Sequence, residues 1–258
     1  MTKFLYGQPV AEKILKTIPR GPKEPFLAII VVGKDRESQV YIREKQKKAR
    51  DLKIKTKLYR FDANINQSIL IDVIEKLNQD QKVDGILVQL PLPQTLNANA
   101  VIEAVDLKKD VDGLRKNSPY PPTCATAIVK ILSHYKINLQ EKKIVIVGVG
   151  RLVGQPLYKI FRKKNYRVVL IRSREPKSVE IIKNADVVVG AARRKNFISP
   201  KMIKSGAVVI DAASNCQNEA IKKAGSATPK YGGVGPVTVA VLLKNVAKAR
   251  GLDPHTNV

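Results

Sequence analysis

The sequence predicts an α/β fold built from two helix-flanked, mostly parallel sheets, and three observations carry that prediction. Hydrophobic periodicity alternates between strand and helix, and the alternation starts twice. Several strands are continuous apolar runs, such as Phe-Leu-Ala-Ile-Ile-Val-Val at 26–32, the mark of a strand buried on both faces. Between the two alternations stand Pro119, Pro121 and Pro122, which interrupt regular pairing and stiffen a connection, so they mark a boundary.

Taken in order, residues 10–18 read as an amphipathic helix ended by Pro19 and Gly21. A buried strand at 26–32 follows, then a Lys- and Arg-rich helix at 38–52 and a strand at 55–61. A helix at 67–77, a second buried strand at 85–90 and a short helix at 97–105 complete the first half. The second half opens with a helix at 125–135, a strand at 143–147, a glycine-rich turn and a helix at 152–163. A strand at 167–171, a helix at 178–184 and strands at 187–189 and 207–210 come next. The last helix, 237–249, follows Gly232-Gly233-Val234-Gly235-Pro236, with Pro236 starting it where a missing N–H is harmless. Strand–crossover–strand order of this kind implies parallel pairing.

Composition bounds the possibilities. Hydrophobic residues make up 44% of the 258 and aromatic ones 5%, with no Trp, so the core is aliphatic. No apolar stretch approaches the roughly 20 residues of a membrane helix, and residues 1–20 lack the apolar centre of a signal peptide. A cytoplasmic protein without a membrane partner is therefore expected. Cys124 and Cys216 stand singly, and His134 and His255 lie far apart, which argues against a disulfide framework or a metal site. Lys and Arg number 47 against 22 Asp and Glu, a net charge of +25. Such a charge favours anionic partners. It is scattered through amphipathic segments, with no basic tail and no aromatic–basic interleaving, so nucleic acid is disfavoured as a partner.

The most telling motif is Ile144-Val145-Ile146-Val147-Gly148-Val149-Gly150-Arg151-Leu152-Val153-Gly154, a strand, then Gly-x-Gly-x-x-x-Gly, then a helix. Gly148 permits a tight turn, Gly150 lets a phosphate approach backbone N–H groups at a helix N-terminus, and Gly154 allows close helix–strand packing. Val149 and Val153 lie within the same turn. The next strand ends in Arg172-Ser173-Arg174, where a dinucleotide fold meets the adenosine ribose. An acidic residue there would suit NAD, whereas arginines suit the 2′-phosphate of NADP. NADP is the expected cofactor and NAD the second choice.

Several stretches together resemble one family, the bifunctional methylenetetrahydrofolate dehydrogenase/methenyltetrahydrofolate cyclohydrolases. They are Ser38-Gln39-Val40-Tyr41-Ile42-Arg43-Glu44-Lys45, Asp84 to Pro93 (Asp-Gly-Ile-Leu-Val-Gln-Leu-Pro-Leu-Pro) and Lys109-Asp110-Val111-Asp112-Gly113. Val153-Gly154-Gln155-Pro156 and Gly232-Gly233-Val234-Gly235-Pro236-Val237-Thr238 continue the series along nearly the whole chain. The resemblance implies a three-layer α/β catalytic domain at 1–121, joined by the C-terminal helix 237–258, and a Rossmann-like NADP-binding domain at 122–236, with a cleft between them. It also implies a homodimer that acts on tetrahydrofolate derivatives: oxidation of 5,10-methylenetetrahydrofolate with NADP, then hydrolysis to 10-formyltetrahydrofolate.

Residue roles follow from the same resemblance. Lys45 matches the catalytic lysine of ring opening, and Tyr41 the tyrosine that stacks on folate. Gln89 matches a glutamine bonded to that lysine, and Asp112 the aspartate that binds the pterin. Leu90, Pro91, Gly235 and Pro236 match substrate-lining positions, and Ser214 and Gly233 lie with the glycine turn on the cofactor side. Physical chemistry agrees: a lysine moves protons only if part of it is neutral, so its pKa must fall from the usual ~10.4. The family's usual Gly-Arg-Ser is Gly148-Val149-Gly150 here, and Arg172 and Arg174 are the candidates to replace that arginine at the 2′-phosphate.

Overall fold

A computed structural model of the chain describes residues 1–252, with all their side chains except those of Arg36 and Glu37. The expected helix tail beyond 252 and His255 lie outside the described residues. Two compact units emerge. One comprises Met1–Glu12 with Cys124–Thr238, the other Lys13–Thr123 with Val239–Val258.

The second-named unit is built on a three-stranded parallel sheet of β2 (Phe26–Val32), β3 (Lys55–Phe61) and β4 (Gly85–Val88), in the order β3-β2-β4. β2 is central and almost wholly buried, which is why it reads as an uninterrupted apolar run. Helices α2 (Arg36–Asp51), α3 (Gln67–Gln79) and α4 (Ala98–Glu103) connect and cover the strands. Each begins with an extended residue whose side chain accepts a backbone N–H: Asp35, Asn66 and Asn97. One face of β2 (Ala28, Ile30, Val32) packs with Leu70, Ile74 and Leu77 of α3. The other (Leu27, Ile29, Val31) packs with Ile42 and Ala49 of α2 and with Val239, Leu242, Leu243 and Val246 from the final helix, α9 (Val234–Ala249). Asn245 of α9 donates to the Val111 carbonyl at 2.8 Å, and Arg250 reaches Asp84 at 3.2 Å.

The other unit carries a six-stranded parallel sheet in the order β1-β9-β8-β7-β5-β6. Its strands are β1 (Lys3–Phe4), β5 (Ile144–Val147), β6 (Val168–Ile171), β7 (Val187–Gly190), β8 (Val208–Asp211) and β9 (Ser226–Ala227). The helices are α1 (Gly7–Leu15), α5 (Thr123–His134), α6 (Gly154–Lys163), α7 (Ser178–Lys183) and α8 (Asn218–Lys223). The chain runs from β5 to β6 on one side, then crosses to β7 on the other. The crevice at the carboxyl ends of β5 and β7 is thus a topological switch point, where open α/β sheets bind ligands.

Three features differ from the sequence reading. Residues 1–12, expected with the folate-binding domain at 1–121, group with the six-stranded sheet because β1 pairs in parallel with β9. Neither two-residue strand has a period to read. The last helix begins at Val234 rather than 237, so Gly235 and Pro236 lie in its first turn. Proline is tolerated there because first-turn N–H groups have no helical acceptor. Strand 85–90 is shorter than expected and ends at Val88, with the Gln89 N–H still donating to the Ile30 carbonyl of β2 at 2.9 Å.

Candidate active site

The first cluster of polar groups grows from the buried stripe of α2. Ser38, Ile42, Lys45 and Ala49 recur at helical spacing and are all buried, so Lys45 occupies a core-facing position, 9% exposed. An ammonium there must find a partner. Lys45 Nζ donates to Gln89 Oε1 at 2.8 Å, and Gln89 Nε2 donates to the Leu90 carbonyl at 2.8 Å. The second bond fixes the amide so that its oxygen faces the lysine. Tyr41, one turn earlier on the same helix, is 51% exposed. Pro91 is exposed and Leu90 half-buried just beyond β4.

Asp112 lies in the loop before α5. Thr123, the first residue of α5, donates both its hydroxyl to Asp112 Oδ1 and its backbone N–H to the Asp112 carbonyl. Burial pushes the Asp112 carboxyl above the ordinary carboxylate range, while the Lys45 charge and the Thr123 hydroxyl hold it down. The structure therefore brings together Lys45, Gln89, Leu90 and, through its field, Asp112. Thr123 was missed. Its signal was a hydroxyl residue directly after Pro121-Pro122 at a helix start.

The second cluster lies at the switch point. Gly148 has φ 119°, and a Cβ there would overlap the Ala191 carbonyl. A Cβ on Gly154 would overlap the Gly148 carbonyl oxygen, so the turn and α6 are in contact. Gly150 differs: a Cβ would meet nothing within 4 Å, which leaves its space open to a ligand. No side chain caps α6 at Val153. This turn and uncapped N-terminus fit a dinucleotide pyrophosphate. Val149 is half-buried and Gly150 exposed. Arg172 and Arg174 are exposed at the tip of β6, with Ser173 between them half-buried. Glu175 turns back to accept the Arg172 N–H at 3.3 Å.

Ser214 stands near the switch point with φ 56°, in a loop organised by two acidic or amide side chains the sequence reading did not single out. Asp211 accepts the N–H groups of Ala213, Asn215 and Cys216. Fully buried Asn215 exchanges bonds with Ala192 N and O and also donates to the Arg194 carbonyl. Gly233, Gly235 and Pro236 belong to this same unit, at the start of α9. Among the described residues, no group of three or more His, Cys, Asp or Glu could hold a metal ion, and no helix is long and apolar enough to cross a membrane.

A glycine-turn parallel sheet and a buried lysine–glutamine pair in one chain define a two-domain, dinucleotide-dependent enzyme. Comparison with known proteins gives it a family. Residues 5–112 match the tetrahydrofolate dehydrogenase/cyclohydrolase catalytic domain, and residues 122–252 match the NAD(P)-binding domain of the same enzymes. The chain belongs to the tetrahydrofolate dehydrogenase/cyclohydrolase family. It is 35% identical to the bifunctional protein FolD of Chlamydia felis, over 94% of this chain and 96% of that one. Among solved structures, FolD of Campylobacter jejuni superposes with TM-score 0.86 at 29% identity, covering 97% of this chain and 99% of that one. The Trypanosoma brucei enzyme, complexed with NADP and an inhibitor, gives TM-score 0.88 at 28% identity, covering 96% and 97%.

Proposed function

We propose that the chain oxidises 5,10-methylenetetrahydrofolate with NADP and hydrolyses the resulting methenyl compound to 10-formyltetrahydrofolate. The observation that carries this reading is the buried Lys45–Gln89 pair, 2.8 Å apart, with its charge felt at Asp112. Tyr41 offers an exposed aromatic face for the folate ring system to stack on. Asp112 presents a carboxylate that accepts paired N–H bonds from the pterin edge. Leu90 and Pro91 line the folate beyond β4; Gly235 and Pro236, in the first turn of α9, match substrate-lining positions of the family.

On the cofactor side, Gly148, Val149, Gly150, Val153 and Gly154 cradle the pyrophosphate, Arg172, Ser173 and Arg174 meet the adenosine end, and Ser214 and Gly233 flank the nicotinamide end. Bound NADP supplies the acceptor for the hydride leaving the folate methylene carbon. The protein's part in that step is alignment. In the second step water attacks the methenyl carbon. Lys45, oriented by Gln89, takes a proton from the attacking water; one proton passes to N5 as the C–N5 bond breaks, and the other leaves the carbinol oxygen for solvent as the formyl C=O forms, so one proton is released overall. One water is consumed, and the formyl group remains on N10.

An absorbance assay with methylenetetrahydrofolate and NADP tests the reading. The wild type is expected to reduce NADP with little methenyl accumulation. Lys45→Met is expected to keep NADP reduction and accumulate the methenyl compound. Full hydrolysis by Lys45→Met would remove Lys45 from its role, and no reduction of either NADP or NAD by the wild type would overturn the function. The proposal includes a cytoplasmic homodimer; sedimentation velocity is expected to give twice the mass of the 28.6 kDa chain.

A further inference from the structure

The loop after β7 reads Ala191-Ala192-Arg193-Arg194-Lys195-Asn196-Phe197, and its central arginine is held on three sides. Arg194 Nη1 donates to the Ser173 carbonyl at 3.1 Å. Its guanidinium lies over the Phe197 ring, 5.1 Å from the centroid. Its own carbonyl accepts from buried Asn215 at 2.8 Å. β6 and β7 flank β5, so their tips lie about 10 Å apart at ordinary strand spacing. Arg194 follows β7, and its side chain ends at Ser173, just past β6, the strand tip that meets the adenosine ribose in dinucleotide folds.

We infer that Arg194 is a specificity-determining residue that grips the 2′-phosphate of NADP. The inference rests on the NADP reading above and deepens it. Arg172 and Arg174 extend from the same tip into solvent, whereas Arg194 arrives from a neighbouring loop already anchored. One guanidinium N–H is spent on Ser173, and the remaining donors of the planar fork are available to two oxygens of a phosphate. Preorganisation of this kind reduces the entropy lost on binding. Arg193 and Lys195 add charge on either side. Glu175 is the opposing influence, a carboxylate folded onto the Arg172 N–H at the same tip. Arg194 supplies the positive charge that lets a phosphate approach in spite of it.

Titration calorimetry on the full chain with NADP, NAD and 2′,5′-ADP tests this without relying on turnover. The wild type is expected to prefer NADP. Arg194→Ala is expected to lose about 10- to 100-fold in affinity for NADP and 2′,5′-ADP, the range for a charge-assisted bond. Its NAD affinity is expected to stay within about threefold, which also reports that the fold is intact. Arg194→Lys is expected to fall between. An unchanged NADP-to-NAD ratio in Arg194→Ala, equal loss of both, or a wild type that prefers NAD would overturn the inference. A wild type that binds NADP tightly but has no folate activity would instead sink the function above and leave Arg194's role standing.

Discussion

At Asp112 opposing influences meet. Burial favours the neutral acid, while the Lys45 charge and the Thr123 hydroxyl favour the carboxylate. The folded value lies above the unfolded one, so the folded state binds the proton more tightly. The stability this carries is fully present below the unfolded carboxylate pKa and is lost as pH rises toward the folded value. Asp112→Asn is therefore expected to gain stability relative to wild type as pH rises, and to bind folate more weakly. Thermal melts from below the unfolded carboxylate pKa up to pH 8 check the first, and a folate titration the second. A melting difference that does not grow with pH would refute the sign. Thr123→Val removes one influence favouring the carboxylate, so the pH profile of folate binding should move to higher pH. The Lys45–Gln89 pair obeys the same logic of compensation: a buried lysine nitrogen is accommodated because a fixed amide oxygen accepts its hydrogen bond.

At the scale of elements, the switch-point crevice is assembled by loops rather than by strands. Asn215 ties two of them together through bonds to both backbone groups of Ala192 and to the Arg194 carbonyl. Asn215→Ala would leave these buried groups unpaired, at a cost of about 2–4 kcal/mol. Denaturant unfolding checks that figure, and NADP affinity is expected to fall in the same variant. A stability change under about 0.5 kcal/mol, the level of an ordinary surface substitution, would show that the loops hold without it. The sequence pointed only to neighbouring Ser214, because the partners of Asn215 lie 21 and 23 residues away in another loop. The glycine turn was legible as a motif, with its helix starting at Gly154 rather than 152: Gly154 answers to a local contact with the Gly148 carbonyl, whereas the Ala191 carbonyl that crowds Gly148 comes from another loop.

For the whole molecule, α9 decides whether one unit exists. Val239, Leu242, Leu243 and Val246 complete the core on one face of β2, and Asn245 and Arg250 tie the helix to Val111 and Asp84. A chain ending at Thr238 would strip the α9 side of the cover from Leu27, Ile29 and Val31 and leave that core open to water. Burial of each large aliphatic side chain contributes about 1.5–3 kcal/mol, so the loss of four, about 6–12 kcal/mol, is comparable to the whole stability of a domain. Limited proteolysis of the truncated chain is expected to degrade residues 13–123 while a fragment around 124–238 survives longer. Equal resistance of both would show that α9 is dispensable.

Strand bounds at 26–32 and 55–61 were determined by the sequence alone, as was the parallel alternation, because side-chain period and apolar runs are local properties. The glycine turn and the arginines at the β6 tip were equally local. The stretches that hold Lys45 and Gln89, which the structure joins at 2.8 Å, were legible because each is a contiguous motif. Only the tertiary structure decided that residues 1–12 add an edge strand to the six-stranded sheet, that Thr123 bonds Asp112, and that Arg194 ends at Ser173. Each of these depends on sheet order and loop meeting, which bring together residues with no shared period. A two-residue strand or a single arginine in a basic chain carries no pattern until its distant partner is in place.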